Sequence, residues 1–535
     1  MLKRLVWALL VVTLIGVFGS FWLGTGKSQS GQSSLQGIVT DDKGAPVGTA
    51  IVRARHLQSG VSKIGLTDPQ GRFWLPQLSK GQYQISAGKK GYDGGNSQTV
   101  DVEGPLEDLH FNLTVLPIVP ASQLSSDDII RYLPEGPGKM MVSGSCGACH
   151  SLRVVFSQGG RSRSEWTAVL KRMLNVPGGY IQINDDNTPP IIDYLTKYLG
   201  PDSRLPEELG SKVKNVYQEE LPAAHELIYT EYDIPTPLSA PHTAIPDNRG
   251  NVWFSEYGAG KIGRVTLDTG KITEYPLKTP DQHPHGITVG DDGVVWYPAP
   301  PFVLGRLDPE TGEMAEYRVP DFEDGENPMP HSIVVAKDGK VWFTETHRPT
   351  PGAISSYDPD TRQFKRYMLE EGSVPYGIIE KDGIIWFTLI FPGKLGFLDP
   401  KTGEMQYFAV PTEATQTRRL RFDSKGRLWF GEFSTDKIGV FDPSTKEFTE
   451  YDLPFRGSPY SIHVDGDDYV WAASFDRDSF IRFDPDTKTM LEYPLPGSGV
   501  IIRDIWADEQ GRMWFAQNGL NKISSAEYVL KPAAR

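Results

Sequence analysis

Cysteine is almost absent from this chain: there are two in 535 residues. With no third or fourth thiol, a structural zinc site of the Cys₄ or Cys₃ kind is excluded. Basic runs are also missing. Lys and Arg number 54 against 68 Asp and Glu, a net charge of −14, and no Lys/Arg-rich stretch reverses that balance. Non-specific binding to nucleic acid is therefore not expected. Long apolar runs are lacking too, with one exception. Lys3 and Arg4 precede the run "LVWALLVVTLIGVFGSFWL" over residues 5–23, about the length that spans a bilayer as a helix. No small-x-small cleavage site follows it, so an uncleaved membrane anchor is favoured over a cleaved signal peptide. The positive charges place the N-terminus inside, and either reading exports the remainder. The expected location is the inner membrane facing the periplasm, or the periplasm itself if residues 1–27 are removed.

Both cysteines lie in "VSGSCGACHSL", as Cys146 and Cys149, with His150 directly after. C-x-x-C-H is the attachment pattern of a c-type haem. Two thiols three residues apart can add to the two vinyl groups on one edge of the macrocycle, and the adjacent His150 then meets the iron. A plain disulfide is the competing reading in an exported protein. A thioredoxin-like motif would need a βαβ setting, which these residues lack. The surroundings read as helical instead. "SSDDIIRYL" carries a helix-start signal, "SRSEWTAVLKRML" sets Trp166, Val169, Leu170 and Met173 at helical spacing, and "PPIIDYLTKYL" aligns Ile192, Leu195 and Leu199.

A chain this long is too large for one core. Five segments are expected: residues 1–27 as anchor or signal, 35–116 as a small β-sandwich, 122–204 as a helical domain, 205–225 as a Pro- and charge-rich linker, and 226–530 as a repeat array. In the last, "NVWFSE", "VVWYPA", "KVWFTE", "IIWFTL", "RLWFGE", "YVWAAS" and "RMWFAQ" set Trp253, Trp296, Trp342, Trp386, Trp429, Trp471 and Trp514 at intervals of 43, 46, 44, 43, 42 and 43 residues. That period, with about four short strands per unit, predicts a seven-bladed β-propeller. "LIYTEYDI", residues 227–234, looks like the strand that ends each repeat but precedes the first one. It is expected to complete the seventh blade and close the ring. The tryptophans read as blade core. The fold class is therefore multidomain and mainly β, with one small all-α part.

The start of the first strand and the end of the second should converge at one mouth of the central channel. At the first position the repeats offer His242, His285, His331, Tyr376, Arg418, Tyr460 and Arg503. At the second they offer Glu256, Glu345 and Glu432, with His347 close by. Three of only ten histidines share one repeat register. These residues are the candidate propeller site.

Three resemblances follow from these motifs. "LQGIVTDDKGAPV", "TDPQGRF", "GQYQI" and "GY" make residues 35–116 similar to a carboxypeptidase regulatory-like domain, which implies a transthyretin-like sandwich without catalytic residues, a spacer or adhesion module. Residues 122–204 resemble a monohaem cytochrome c domain. That implies haem c (iron) attached through Cys146 and Cys149, His150 as proximal ligand, and Met173 as the sixth ligand. The P-H-G-I, V-W-F-T-E, K-I-G-R and E-Y-P-L-P patterns resemble virginiamycin B lyase, a seven-bladed propeller that opens a cyclic depsipeptide by Mg²⁺-assisted elimination. Its catalytic histidines fall on His285 and His331 and one glutamate on Glu345, while its other glutamate falls on Met329. The expectation is electron transfer by an exported haem protein, whose propeller binds a small-molecule substrate or a redox partner protein. A Mg²⁺-dependent carbon–oxygen lyase is the alternative.

Overall fold

The computed structural model describes residues 33–146, 151–174, 188–213, 221, 223–247, 249–346 and 351–529. The apolar run at 5–23 and the residues Cys149, His150 and His347 lie outside the described residues. Among the described residues no helix is long and apolar enough to cross a membrane.

Residues from 241 onward form six four-stranded antiparallel sheets and three strands of a seventh blade, arranged as a ring. The first blade runs Pro241–Pro246, Asn251–Glu256, Lys261–Thr266 and Lys271–Pro276, and the others repeat this plan. The repeating tryptophans are its core: Trp253, Trp429 and Trp514 are fully buried and the other four nearly so. In four blades the indole N–H donates to an aspartate six residues earlier, as in Trp253 to Asp247 (2.9 Å), Trp429 to Asp423 (2.9 Å), Trp471 to Asp465 (2.8 Å) and Trp514 to Asp508 (2.8 Å). The other carboxylate oxygen of each aspartate accepts backbone N–H groups in the turn before the strand, for example from Lys425 and Arg427 to Asp423. One side chain thus ties the turn to the core. In six of the seven blades an aromatic residue follows the Trp and faces the opposite side, because side chains alternate along a strand. There it lies flat over the next strand, and a Cβ on Gly263 would come within 2.0 Å of the Phe254 ring. This is the physical meaning of the K-I-G-R pattern.

The seventh blade contains Ile505–Ala507, Met513–Gln517 and Lys522–Tyr528, and its fourth strand is Leu227–Asp233, paired from Leu227↔Tyr528 to Asp233↔Lys522. The ring is closed by hydrogen bonds between its two ends. The free edge of Leu227–Asp233 is not left open. Ser62–Leu66 of the N-terminal sandwich pairs with it, Ser62 opposite Glu231 and Gly65 opposite Ile228, so that blade and sandwich share one eight-stranded sheet. The sandwich, with a second sheet of Arg72–Leu78, Ser33–Asp41, Leu106–Val115 and Tyr92–Asp93, is therefore built into the propeller rather than acting as a free spacer. At the seam Glu231, with 1% of its side chain exposed, is ion-paired with Arg53 of the sandwich and Lys522 of the last strand.

The helical part has its own core of Val142, Leu152, Phe156, Trp166, Leu170, Ile192, Leu195 and neighbours. Its first helix, Ser126–Tyr132, starts with a capping box in which Ser125 and Asp128 bond each other's backbone N–H. The expected linker is corrected here. Leu205–Val213 is a helix whose Leu205, Leu209 and Val213, one turn apart, join that core. The unit is wedged between the other two. Lys90 of the sandwich pairs with Asp128, and Arg477 of blade six contacts Asp127 at 3.1 Å.

If the closing seam is held as described, Glu231→Ala will lower the unfolding free energy by about 3 kcal/mol, the low end for breaking a buried pair, because Arg53 and Lys522 still reach water. Chemical denaturation followed by Trp fluorescence measures this. A loss below about 1 kcal/mol would mean that the seam carries little of the stability.

Candidate functional site at the channel mouth

The first strands of five blades break register where they begin, between Pro241 and Ala244, Pro330 and Ile333, Val374 and Ile378, Thr417 and Leu420, and Pro459 and Ser461. Such a bulge re-aims a side chain. Here it presents His242, His331, Tyr376, Arg418 and Tyr460 to the channel. His285 and Arg503, in the segments just before Thr288–Val289 and Ile505–Ala507, complete a ring with one residue per blade.

The ring is packed ring against ring. Centroids of His242 and His285 are 3.7 Å apart, those of His285 and His331 also 3.7 Å, and those of His331 and Tyr376 4.3 Å. The hydroxyls of Tyr376 and Tyr460 are hydrogen-bonded across the channel. Arg503 donates to Tyr460 (3.1 Å), and the Arg418 guanidinium lies 4.8 Å from the Tyr376 ring centre and 5.1 Å from that of Tyr460. Two histidines are oriented through Nδ1, His242 by Thr243 (3.1 Å) and His331 by Ser332 (2.9 Å). Nε2 of His242 and Nδ1 of His285 are buried without a partner.

Burial holds all three imidazoles well below their ordinary pKa. Neighbouring charge adds to this: His285, Arg503 and Arg419 for His242, Arg419 and Arg503 for His285, and His285 and Arg419 for His331. They are neutral bases at pH 7, with no need to lose a proton before accepting one.

The three glutamates do not join them. Each turns outward across its blade. Glu345 is bound by Arg366 of the outer strand Gln363–Met368 (Nε 2.9 Å). Burial and then Glu274 push Glu256 up to about 8, and burial and then Glu450 do the same for Glu432. The expectation that strand ends and strand starts share one opening holds for the backbone but not for these side chains. A Mg²⁺ site does not fit these residues: Glu345 is committed to Arg366, Met329 has no carboxylate, and among the described residues no three His, Cys, Asp or Glu are grouped to hold a metal ion. Two cavities, of about 590 and 380 Å³, lie where the sandwich meets the propeller, away from the ring.

Arg419 and Asp504, one residue beyond the ring register, were not anticipated. Arg419 donates to Ser332 (2.7 Å) and approaches Asp504 (3.5 Å), which also binds Arg421 (3.0 Å). Reading the seven repeats at this second position would have found them.

At the haem motif, Cys146 ends the turn Val142–Cys146 and is buried in the helical core. Met173 is half-buried near the end of the helix Arg163–Leu174. In the same helical core the buried Nε1 of Trp166 has no acceptor, and neither has the buried Nε of Arg161, whose guanidinium lies 5.9 Å from the Trp166 ring centre.

Residues 225–307 and 362–529 match the Virginiamycin B lyase family, and residues 34–114 match the carboxypeptidase regulatory-like domain. The propeller is of the virginiamycin B lyase type. The selenomethionine form of virginiamycin B lyase from Staphylococcus aureus is 27% identical, with a TM-score of 0.52, over 57% of this chain and 100% of that one. A streptogramin B lyase structure is 26% identical, with a TM-score of 0.52, over 57% and 99%. A catalytically inactive histidine-to-alanine form of the staphylococcal lyase, solved with quinupristin, is 25% identical, with a TM-score of 0.51, over 57% and 100%. No curated protein matches. The lyase match is interrupted over residues 308–361, the stretch that holds His331, Glu345 and Met329.

The lowered histidine pKa values have a sign. Between the unfolded value of about 6.5 and the lower folded values, the unfolded chain binds more protons, so this part of the stability is full above pH 6.5 and is lost as pH falls. Glu256 and Glu432 act in the opposite sense, losing stability as pH rises toward 8. The histidine part is isolated by difference. His242→Gln/His285→Gln will lose less melting temperature than the parent between pH 7 and pH 5, as read by differential scanning fluorimetry.

Proposed function

We propose that this chain is an exported, membrane-anchored haem c protein that transfers electrons, and that its lyase-type channel ring binds the small-molecule substrate or redox partner it serves. The observation that carries the reading is the C-x-x-C-H sequence of Cys146, Cys149 and His150, whose first cysteine is buried in a separate helical core that also holds an unsatisfied buried donor on Trp166. A haem bound there would supply one-electron chemistry at its iron; Cys146 and Cys149 would hold the group, His150 and Met173 would ligate it, and the apolar core around Cys146 would exclude water.

The position of the helical unit supports joint action. Phe475, in the loop of blade six at the channel mouth, stacks on Tyr460 with centroids 5.3 Å apart. The next residue, Asp476, accepts the backbone N–H of Asp127 at 2.7 Å. Ser126, one residue earlier, contacts Ser151 (3.2 Å) and accepts the N–H of Leu152 (3.0 Å). Ser151 follows His150 in the chain. Ring and haem motif are thus neighbours through a short series of packed and hydrogen-bonded groups.

A second reading, carbon–oxygen lyase activity on a cyclic ester or depsipeptide, is favoured by one observation: His285 is neutral, with a partnerless ring nitrogen, between His242 and His331. It would act as base, with positive charge supplied by arginines rather than by Mg²⁺.

Expression with a cytochrome c maturation system should give covalent haem by pyridine haemochrome and a low-spin reduced spectrum, both lost in Cys149→Ser. Absence of covalent haem would overturn the first reading. Met173→Ala should lower the midpoint potential, since a thioether ligand raises it, and an unchanged potential would remove Met173 from the iron. Linearisation of quinupristin that survives EDTA and disappears in His285→Ala would establish the second reading.

A further inference from the structure

One half of the ring is imidazole and the other is cationic. Arg418 and Arg419 from blade five are 7% and 5% exposed, and Arg503 enters from blade seven. The carboxylate beside them is Asp504, which is shared between Arg419 and Arg421. Arg418 is placed differently. Its Nη2 donates to the neutral amide of Gln416 (3.3 Å), its Nε is buried with no partner, and the Phe433 ring centre lies 4.6 Å away. A buried charge without a counter-charge is costly. The histidines cannot offset it, being neutral. The positive potential is also felt by Tyr460: burial raises its pKa, but Arg503, Arg418 and Arg419 outweigh burial and bring it below the ordinary value.

We propose that the channel ring is a binding site for a small organic oxyanion, its carboxylate or phosphate held by Arg418 and Arg503 and its flat body set against the stacked histidine and tyrosine rings. The fork of a guanidinium suits either head group. The flat walls select a planar body over a compact hydrated ion. The site replaces, with fixed arginine charge, the positive charge that a divalent metal would bring. This deepens the channel-binding half of the proposed function and is independent of the haem.

The test is calorimetric titration of the full chain at constant ionic strength with benzoate, phenyl phosphate, benzamide and MgCl₂. Benzoate or phenyl phosphate should bind with one site per chain, and whichever binds more tightly identifies the head group. The neutral isostere benzamide should bind at least about tenfold more weakly. MgCl₂ should give no heat of binding. Arg418→Gln should weaken the oxyanion by about tenfold or more, and Arg418→Lys should recover part of it. Equal binding of benzoate and benzamide would overturn the oxyanion inference while leaving a channel ligand in place. Binding of neither aromatic oxyanion would overturn both. Oxyanion binding unchanged in folded Arg418→Gln would place it elsewhere and also overturn the inference. The comparison of benzoate with benzamide needs no variant, so it stands even if Arg418→Gln does not fold.

Discussion

The strand Leu227–Asp233 has partners on both edges, and the rest of the architecture depends on it. Its hydrogen bonds to Lys522–Tyr528 close the propeller, and its hydrogen bonds to Ser62–Leu66 attach the sandwich. A strand with two filled edges presents no template for other chains. Ion pairs from Glu231 to Arg53 and Lys522 lie across the two joints at once. The helical unit then fills the angle between sandwich and blade six, its Asp127 and Asp128 held by one cation from each side. A channel ring needs a closed barrel of blades around it, so the site inherits its shape from this seam.

Much of the fold was legible in the residues because the propeller aligns itself. Seven tryptophans at nearly equal spacing define the blades without any relative, and the residues at one register then share one place in space. His242, His285, His331, Tyr376, Arg418, Tyr460 and Arg503 were readable for that reason. The bulges that turn these side chains into the channel have no such signal, because a bulge is one extra residue in a ladder and not a residue type. The same limit misplaced Glu256, Glu345 and Glu432. Strand ends meet at the mouth, but which way a side chain leaves depends on its partners, and theirs lie on the outer strands. Leu205–Val213 was hidden by Pro206 and the glutamates after it, which lead a short helix as readily as they make a linker.

The ring departs from the lyase pattern both inside the interrupted stretch, at Met329, and outside it, at Arg418 and Arg503. Lyase-type blades keep their histidines, but the carboxylates that would hold a cation are absent from the opening, and arginines stand there instead. On the proposed reading, the ring prefers the opposite sign of charge while keeping the lyase-type framework. This is how one fold serves different ligands: the blades set the distances, and a single register sets the charge. The adjacency of Phe475, Asp476 and Asp127 puts that register within a few contacts of the haem motif, so a ligand at the mouth would also border the helical unit.

The closing strand also sets an order of assembly. Glu231 and Lys522 are separated by 291 residues. During synthesis from the N-terminus, Leu227–Asp233 appears before any complete blade and waits for its partner until the end. Such distant pairing is slow, and a waiting apolar strand invites wrong pairings. The sandwich is made earlier and already has Ser62–Leu66 in place. It can receive the strand at once, holding in register the outer strand of a blade whose other three strands come last. The sandwich would in this way act as the chain's internal template.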